Sequence, residues 1–137
     1  EKIGVKKLFY KVNQKPGKPL FFGKKDKTLF FGLPGNPSAS LVCYYQYVLF
    51  AIKKMSGVSG GELEKRELIS RNNFTKKGIR PQFLKAKANQ NEVHLLEGQS
   101  SAMLHTFSLA NALVYLPGHE QEIKAGDKLI TYILPSA

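Results

Sequence analysis

No stretch of this chain leaves fewer structural options than Leu33-Pro34-Gly35-Asn36-Pro37. Two prolines and a glycine in five residues stop a strand and prevent its continuation. The residues just before, 28–32 (TLFFG), are apolar and read as a strand. Just after, Asn36 is a good helix N-cap, and Pro37 suits the first helical position, where a missing N–H is harmless. From there Leu41, Tyr45, Val48, Ile52 and Met55 recur at three- and four-residue steps and form one helix face. Lys53 and Lys54 complement the C-terminal dipole, and Gly57 is the C-terminal cap. The prediction is a strand, a tight turn and a single capped helix over 37–55.

Upstream, residues 5–12 (VKKLFYKV) read as a strand, and Lys15-Pro16-Gly17-Lys18-Pro19 as a loop. Residues 20–23 and 28–32 form a hairpin around Lys24-Lys25-Asp26-Lys27. Val58-Ser59-Gly60-Gly61 is a short link, beyond which the pattern changes to short strands at 67–71, 82–88, 92–96, 112–116 and 128–134. One helical turn is expected within 100–109. Strands this short, within one small segment, suggest a β-barrel. The predicted fold is therefore α/β plus all-β: a partial α/β domain at 1–57, a linker at 58–62 and a small β-barrel at 63–137.

With 137 residues and 42% hydrophobic content, the chain can build a core and is not globally disordered. Its apolar runs are too short to span a bilayer as helices. The net charge of +11 is front-loaded: residues 1–31 hold nine lysines against two acidic groups, whereas 92–137 are net negative. Such a distribution suits an anionic partner. A single cysteine, Cys43, excludes an intrachain disulfide and a cysteine-based zinc site. The three histidines lack metal-site spacing, and a reducing, cytoplasmic setting fits. The chain has no initiator Met, no signal core, and begins within a strand, so it reads as part of a longer protein.

The LPGNP joint favours an anion, because helix N-termini present oriented N–H groups and a positive dipole end. Gly35 permits close approach of a ligand, and Ser38 and Ser40 can add hydroxyls. The plainer reading is a turn that only starts a helix. Lys11 and Lys15 are four apart. On an extended segment they share a face and can clamp a phosphate or tetrahedral oxyanion, with Lys18 as a third arm. The plainer reading here is a pair of solvated lysines. No Ser-His-Asp set, paired carboxylates or P-loop is present. Lysines interleaved with Tyr10, Phe21, Phe22, Phe30 and Phe31 would also suit a barrel that binds single-stranded nucleic acid. That partner is not favoured, since a GLPGNP joint is not expected of such a barrel.

KPGKP at 15–19, FGLPGNPSA at 31–39, RPQF at 80–83, and the serine-containing stretch from Gln99-Ser100-Ser101 to Ser108-Leu109-Ala110-Asn111-Ala112 together resemble the molybdopterin molybdenumtransferase family (MoeA and the gephyrin E domain). The resemblance runs in order along nearly the whole chain. It implies insertion of molybdenum from molybdate into adenylylated molybdopterin, with release of AMP and a divalent metal, Mg2+. By motif position, Lys11 and Lys15 match catalytic lysines. Lys18, Pro34, Gly35, Asn36, Pro37, Ser38 and Ser101 match substrate-binding positions, with adjacent Ser100 as the alternative to Ser101. Asp26 and Asp127 do not match the family's metal-associated aspartates, so no metal ligand is assigned here and the Mg2+ ligands are expected upstream. The resemblance further implies a homodimer, no membrane partner and little activity for this piece alone. A purely non-catalytic assembly role is the remaining alternative. Where family helices often carry a proline, this chain has Phe50, which predicts a straighter helix.

Overall fold

A computed structural model describes residues 3–136. Three antiparallel strands come first: β1 (Lys6–Tyr10), β2 (Phe21–Lys25) and β3 (Thr28–Gly32), in the order β1-β2-β3. The β2–β3 hairpin is tighter than expected. Lys25 pairs with Thr28, and Asp26 turns the chain with φ 52°. Aspartate tolerates this left-handed conformation better than most residues. Strand β1 ends two residues earlier than expected. Lys11 is left-handed (φ 73°) and donates its N–H to the Leu20 carbonyl at 2.9 Å. Val12 likewise donates to the Lys18 carbonyl at 2.9 Å, so the chain is already folding back.

The helix begins as predicted. In α1 (Pro37–Cys43), the Asn36 side chain accepts from the N–H groups of Ser38 (3.1 Å) and Ala39 (3.4 Å). The single helix expected to Met55 is instead interrupted by a π-helical turn at Tyr44–Val48, and resumes as α2 (Leu49–Met55). The wider turn rotates everything after it. Leu41 and Tyr45 still pack inward, but Ile52 (48% exposed) and Met55 (66%) face outward, and α2 has no buried residue. The helix closes in a Schellman motif, with the N–H of Gly57 (φ 76°) bonded to the Lys54 carbonyl and that of Val58 to the Lys53 carbonyl.

The strands β4 (Glu64–Ser70), β6 (Gln82–Ala88), β7 (Glu92–Leu95), β8 (Ala112–Leu116) and β10 (Lys128–Ile133) close into a barrel in the order β10-β4-β7-β6-β8. All its pairs are antiparallel except β4 with β7. Two unexpected short strands, β5 (Phe74–Thr75) and β9 (Glu122–Ile123), form a separate ribbon. The expected helical turn is α3 (Leu104–Leu109). Alternation along β6 and β8 sends Leu84, Ala86, Ala112, Val114 and Leu116 into the barrel core. Phe83 and Leu113 point the other way and join Val42 of α1, Phe107 of α3 and Leu134 in a second cluster. There Tyr45 stacks on Phe107 with centroids 6.2 Å apart. The helical segment thus packs on the outside of the barrel through shared apolar surface. Among the described residues no helix is long and apolar enough to cross a membrane.

Candidate functional site

The KPGKP loop is the piece of chain held most tightly between these two parts. On the barrel side the Lys15 backbone extends the sheet. Its N–H donates to the Pro81 carbonyl, and its carbonyl accepts from the Phe83 N–H, both at 2.8 Å. On the helix side Gly17 (φ 99°) lies against α1, and a Cβ there would stand 2.6 Å from Cys43 Sγ and 3.7 Å from the Ala39 carbonyl oxygen. Only glycine allows that approach. Gln14, 4% exposed, completes the clamp: its Nε2 donates to the Pro16 carbonyl at 2.9 Å, and its Oε1 accepts from the Tyr47 hydroxyl. The Lys15–Pro16 peptide is cis.

This clamp places Lys15 on the rim of a hollow of about 310 Å3, lined also by Phe74, Thr75, Lys77, Gln82, Gln99 and Ser100. The hollow therefore gathers two ammonium groups, two carboxamides and two hydroxyls, with no carboxylate. Gln82 is only 4% exposed, and no hydrogen bond from its side-chain amide is seen among the described residues. Arg80 adds an exposed guanidinium beside Pro81, the residue that anchors Lys15. The Gln99 amide is already engaged by the Lys85 and Leu96 carbonyls, so the two lysines and Gln82 are the groups that suit the binding of an oxyanion. The thiol of Cys43 is not a nucleophile here. Burial pushes its pKa up to about 11, which keeps it protonated at neutral pH. Burial also raises the hydroxyl of Tyr47, with the nearby Cys43 adding to the shift.

Lys11 and Lys15 do not share an extended face, because the backbone turns between them. Lys11 does not line the hollow. Its Nζ sits over the Tyr10 ring, 5.4 Å from the centroid. Lys18 is exposed, and its carbonyl accepts from the N–H groups of Val12 and Leu20. At the LPGNP joint Pro34 is buried and its carbonyl accepts from the Ser40 hydroxyl, while Gly35 and Pro37 are exposed. Open space lies over Gly35, with nothing within 4 Å of a Cβ there. The anion reading of this joint narrows, however. Asn36 occupies the N–H groups of Ser38 and Ala39, Ser38 is 1% exposed, and the Ser40 hydroxyl is engaged. Ser101 is half-buried and Ser100 is the serine on the hollow.

Sequence reasoning passed over Gln14, Lys77, Gln82 and Gln99. Glutamines carry no chemical signal of their own, although Gln14 precedes KPGKP, Gln82 lies within RPQF and Gln99 opens the quoted serine-containing stretch. No group of three His, Cys, Asp or Glu that could hold a metal ion exists among the described residues, and the hollow itself offers Mg2+ no carboxylate. The aromatic rings weighed as a stacking platform for bases pack partly on one another: Phe22 lies 5.5 Å from Phe9 and 4.8 Å from Phe31.

Fold and site together define an arm of three strands and a helix clamped to a five-stranded barrel, with a hollow at the seam that holds two lysines and no carboxylate. Comparison with known proteins gives that arrangement a family. Residues 67–134 match the family model described as MoeA C-terminal region (domain IV). The molybdopterin molybdenumtransferase of Haemophilus influenzae is 32% identical over 133 residues, covering 93% of this chain and 33% of the relative. The molybdenum cofactor synthesis protein cinnamon of Drosophila melanogaster is 31% identical over 126 residues, covering 85% and 21%. A crystal structure of the molybdopterin biosynthesis moeA protein from Pyrococcus horikoshii OT3 shares the fold with a TM-score of 0.75 at 24% identity, over 93% of this chain and 33% of that one. This chain belongs to the MoeA family, as its motifs implied, and it spans a third or less of the length of these relatives.

Proposed function

We propose that this chain supplies an oxyanion-binding seam for the molybdenum-insertion step of molybdenum cofactor biosynthesis. In this reading the longer protein takes molybdate and adenylylated molybdopterin, places molybdenum on the dithiolene and releases AMP. The observation that carries it is Lys15, whose backbone is bonded to Pro81 and Phe83 at the start of β6 while its neighbour Gly17 packs on the helix, at the edge of a hollow free of carboxylates. A cation held by the fold needs little reorganisation as oxyanion charge redistributes, and such pre-placed donors favour the transition state over the ground state. Lys77, Gln82 and Ser100 would orient a tetrahedral oxyanion beside it. The open edge at Gly35–Pro37 would receive the phosphate of the pterin substrate, with Lys11 and Lys18 as flanking cations. Homodimeric assembly and a Mg2+ requirement belong to the same reading, and the metal would be held by residues other than those described here.

The test compares Lys15→Ala with Lys24→Ala in the longer protein, using a molybdenum-insertion assay and a circular dichroism melt. Removing one positioned donor typically lowers the rate about 10²–10³-fold. Lys24, exposed in the β2–β3 hairpin, should stay near wild type. Equal activity in the two folded variants would sink the assignment of Lys15.

A further inference from the structure

Lys85 sits in the middle of β6, only 4% exposed, and forms no ion pair among the described residues. A buried ammonium without a counter-ion is costly, and burial lowers its pKa. What it touches is a single turn. Its Nζ lies 3.0 Å from the Met103 carbonyl oxygen and 3.2 Å from that of Ser100. The Ser100 carbonyl also accepts from the Met103 N–H at 3.0 Å, and the Ser100 Oγ accepts from the Ala102 N–H at 3.3 Å. The residue just before is tied to the same lysine through its main chain. Gln99 Oε1 accepts from the Lys85 N–H, and Gln99 Nε2 donates to the Lys85 carbonyl, both at 2.8 Å. The segment 99–103 is thus referenced at both ends to one residue of a barrel strand.

Ser100 and Gln99 line the hollow at whose rim Lys15 is held, whereas Lys85 does not. We propose that Lys85 is a positioning residue, which fixes the Ser100–Met103 turn against β6 and thereby sets the affinity of the hollow for a tetrahedral oxyanion. The inference rests on the oxyanion reading above. It explains why β6 carries a buried cation where an apolar residue would fold at least as well: an apolar side chain could not hold two carbonyl oxygens. Ammonium and guanidinium can both do so, while the methionine side chain keeps the length and loses every donor.

The test uses the longer protein at one fixed neutral pH as wild type, Lys85→Met and Lys85→Arg. Three readouts are taken: amide exchange at Ala102 and Met103 by NMR, molybdate titration, and a thermal melt. Lys85→Met should speed exchange at these two amides about tenfold, as expected for loss of a charge-assisted hydrogen bond. It should weaken molybdate about tenfold, as loss of an outer-shell partner does. The melt should hold, because the variant removes a buried unpaired charge. Lys85→Arg should restore exchange and affinity together. Unchanged exchange in Lys85→Met overturns the inference, and so does faster exchange with unchanged molybdate affinity. Failure of molybdate to bind the wild-type longer protein would instead sink the oxyanion reading, while the exchange rates still decide whether Lys85 holds the turn.

Discussion

Strands β6 and β1 both mix lysine with apolar residues, yet they end up in opposite surroundings. In β6 (QFLKAKA) the first five residues are buried; in β1 (KKLFY) all five are exposed. Neighbours make the difference. β6 lies between β7 and β8, with the barrel core on one face and the second apolar cluster on the other. β1 is an edge strand with only β2 beside it, and its flanking lysines guard an edge that would otherwise invite pairing. Apolar burial holds the barrel together all round. The arm's three-stranded sheet is largely exposed, and the arm is held through the apolar face of α1 and the close approach of Gly17 to Cys43.

Substitutions can break that contrast. Leu84→Ala, in a fully buried barrel position, should destabilise by about 4 kcal/mol in urea unfolding, since the closed wall cannot collapse onto the cavity. The same change at Leu8, 50% exposed on β1, should stay within about 0.5 kcal/mol. Equal losses would show that the arm contributes as much core as the barrel. A smaller effect, of about 2 kcal/mol, is expected for Gly17→Ala, where a positive φ and the Cys43 sulfur both oppose a methyl group. Gly35→Ala, with nothing within 4 Å of its Cβ and no positive φ, should be near neutral in the same measurement. A loss of about 1 kcal/mol is expected for Asn36→Ala, which frees the N–H groups of Ser38 and Ala39. That variant also sharpens the functional reading. If the LPGNP joint takes a phosphate, the freed N–H groups should leave ligand affinity equal or higher despite the lower melting point.

What could be read from the sequence was local chemistry. Asn36, Pro37 and Gly57 announce a helix start and stop through groups that bond within one turn of themselves. The two-residue period of 82–88 and 112–116 shows as strands because both faces of each pack on apolar neighbours. Pairing between distant strands left no such mark. The parallel β4–β7 register, the β5–β9 ribbon and the early start of β4 are settled by partners more than ten residues away. The π-helical turn escaped for a related reason. Five residues of YYQYV suit an ordinary helix, and only the fit of Tyr45 against the barrel exposes the shift. At the site the motif lysines were legible as cations. Their relation was not, since the spacing of Lys11 and Lys15 means a shared face only if the backbone between them is straight.

The pairing of the barrel's first and last strands has a mechanical consequence. Glu64 at the start of β4 lies opposite Ile133 at the end of β10, and the register runs from there without a slip to Ile69 opposite Lys128. Both ends of the barrel therefore leave from one pole. Tension between the helix and the C-terminal tail would load this antiparallel pair at Glu64 and Ile133 first, and would open the ladder rung by rung, as a zipper opens. Force entering through the KPGKP loop would bypass this ladder, because Lys15 is bonded at the start of β6, which pairs with β7 and β8.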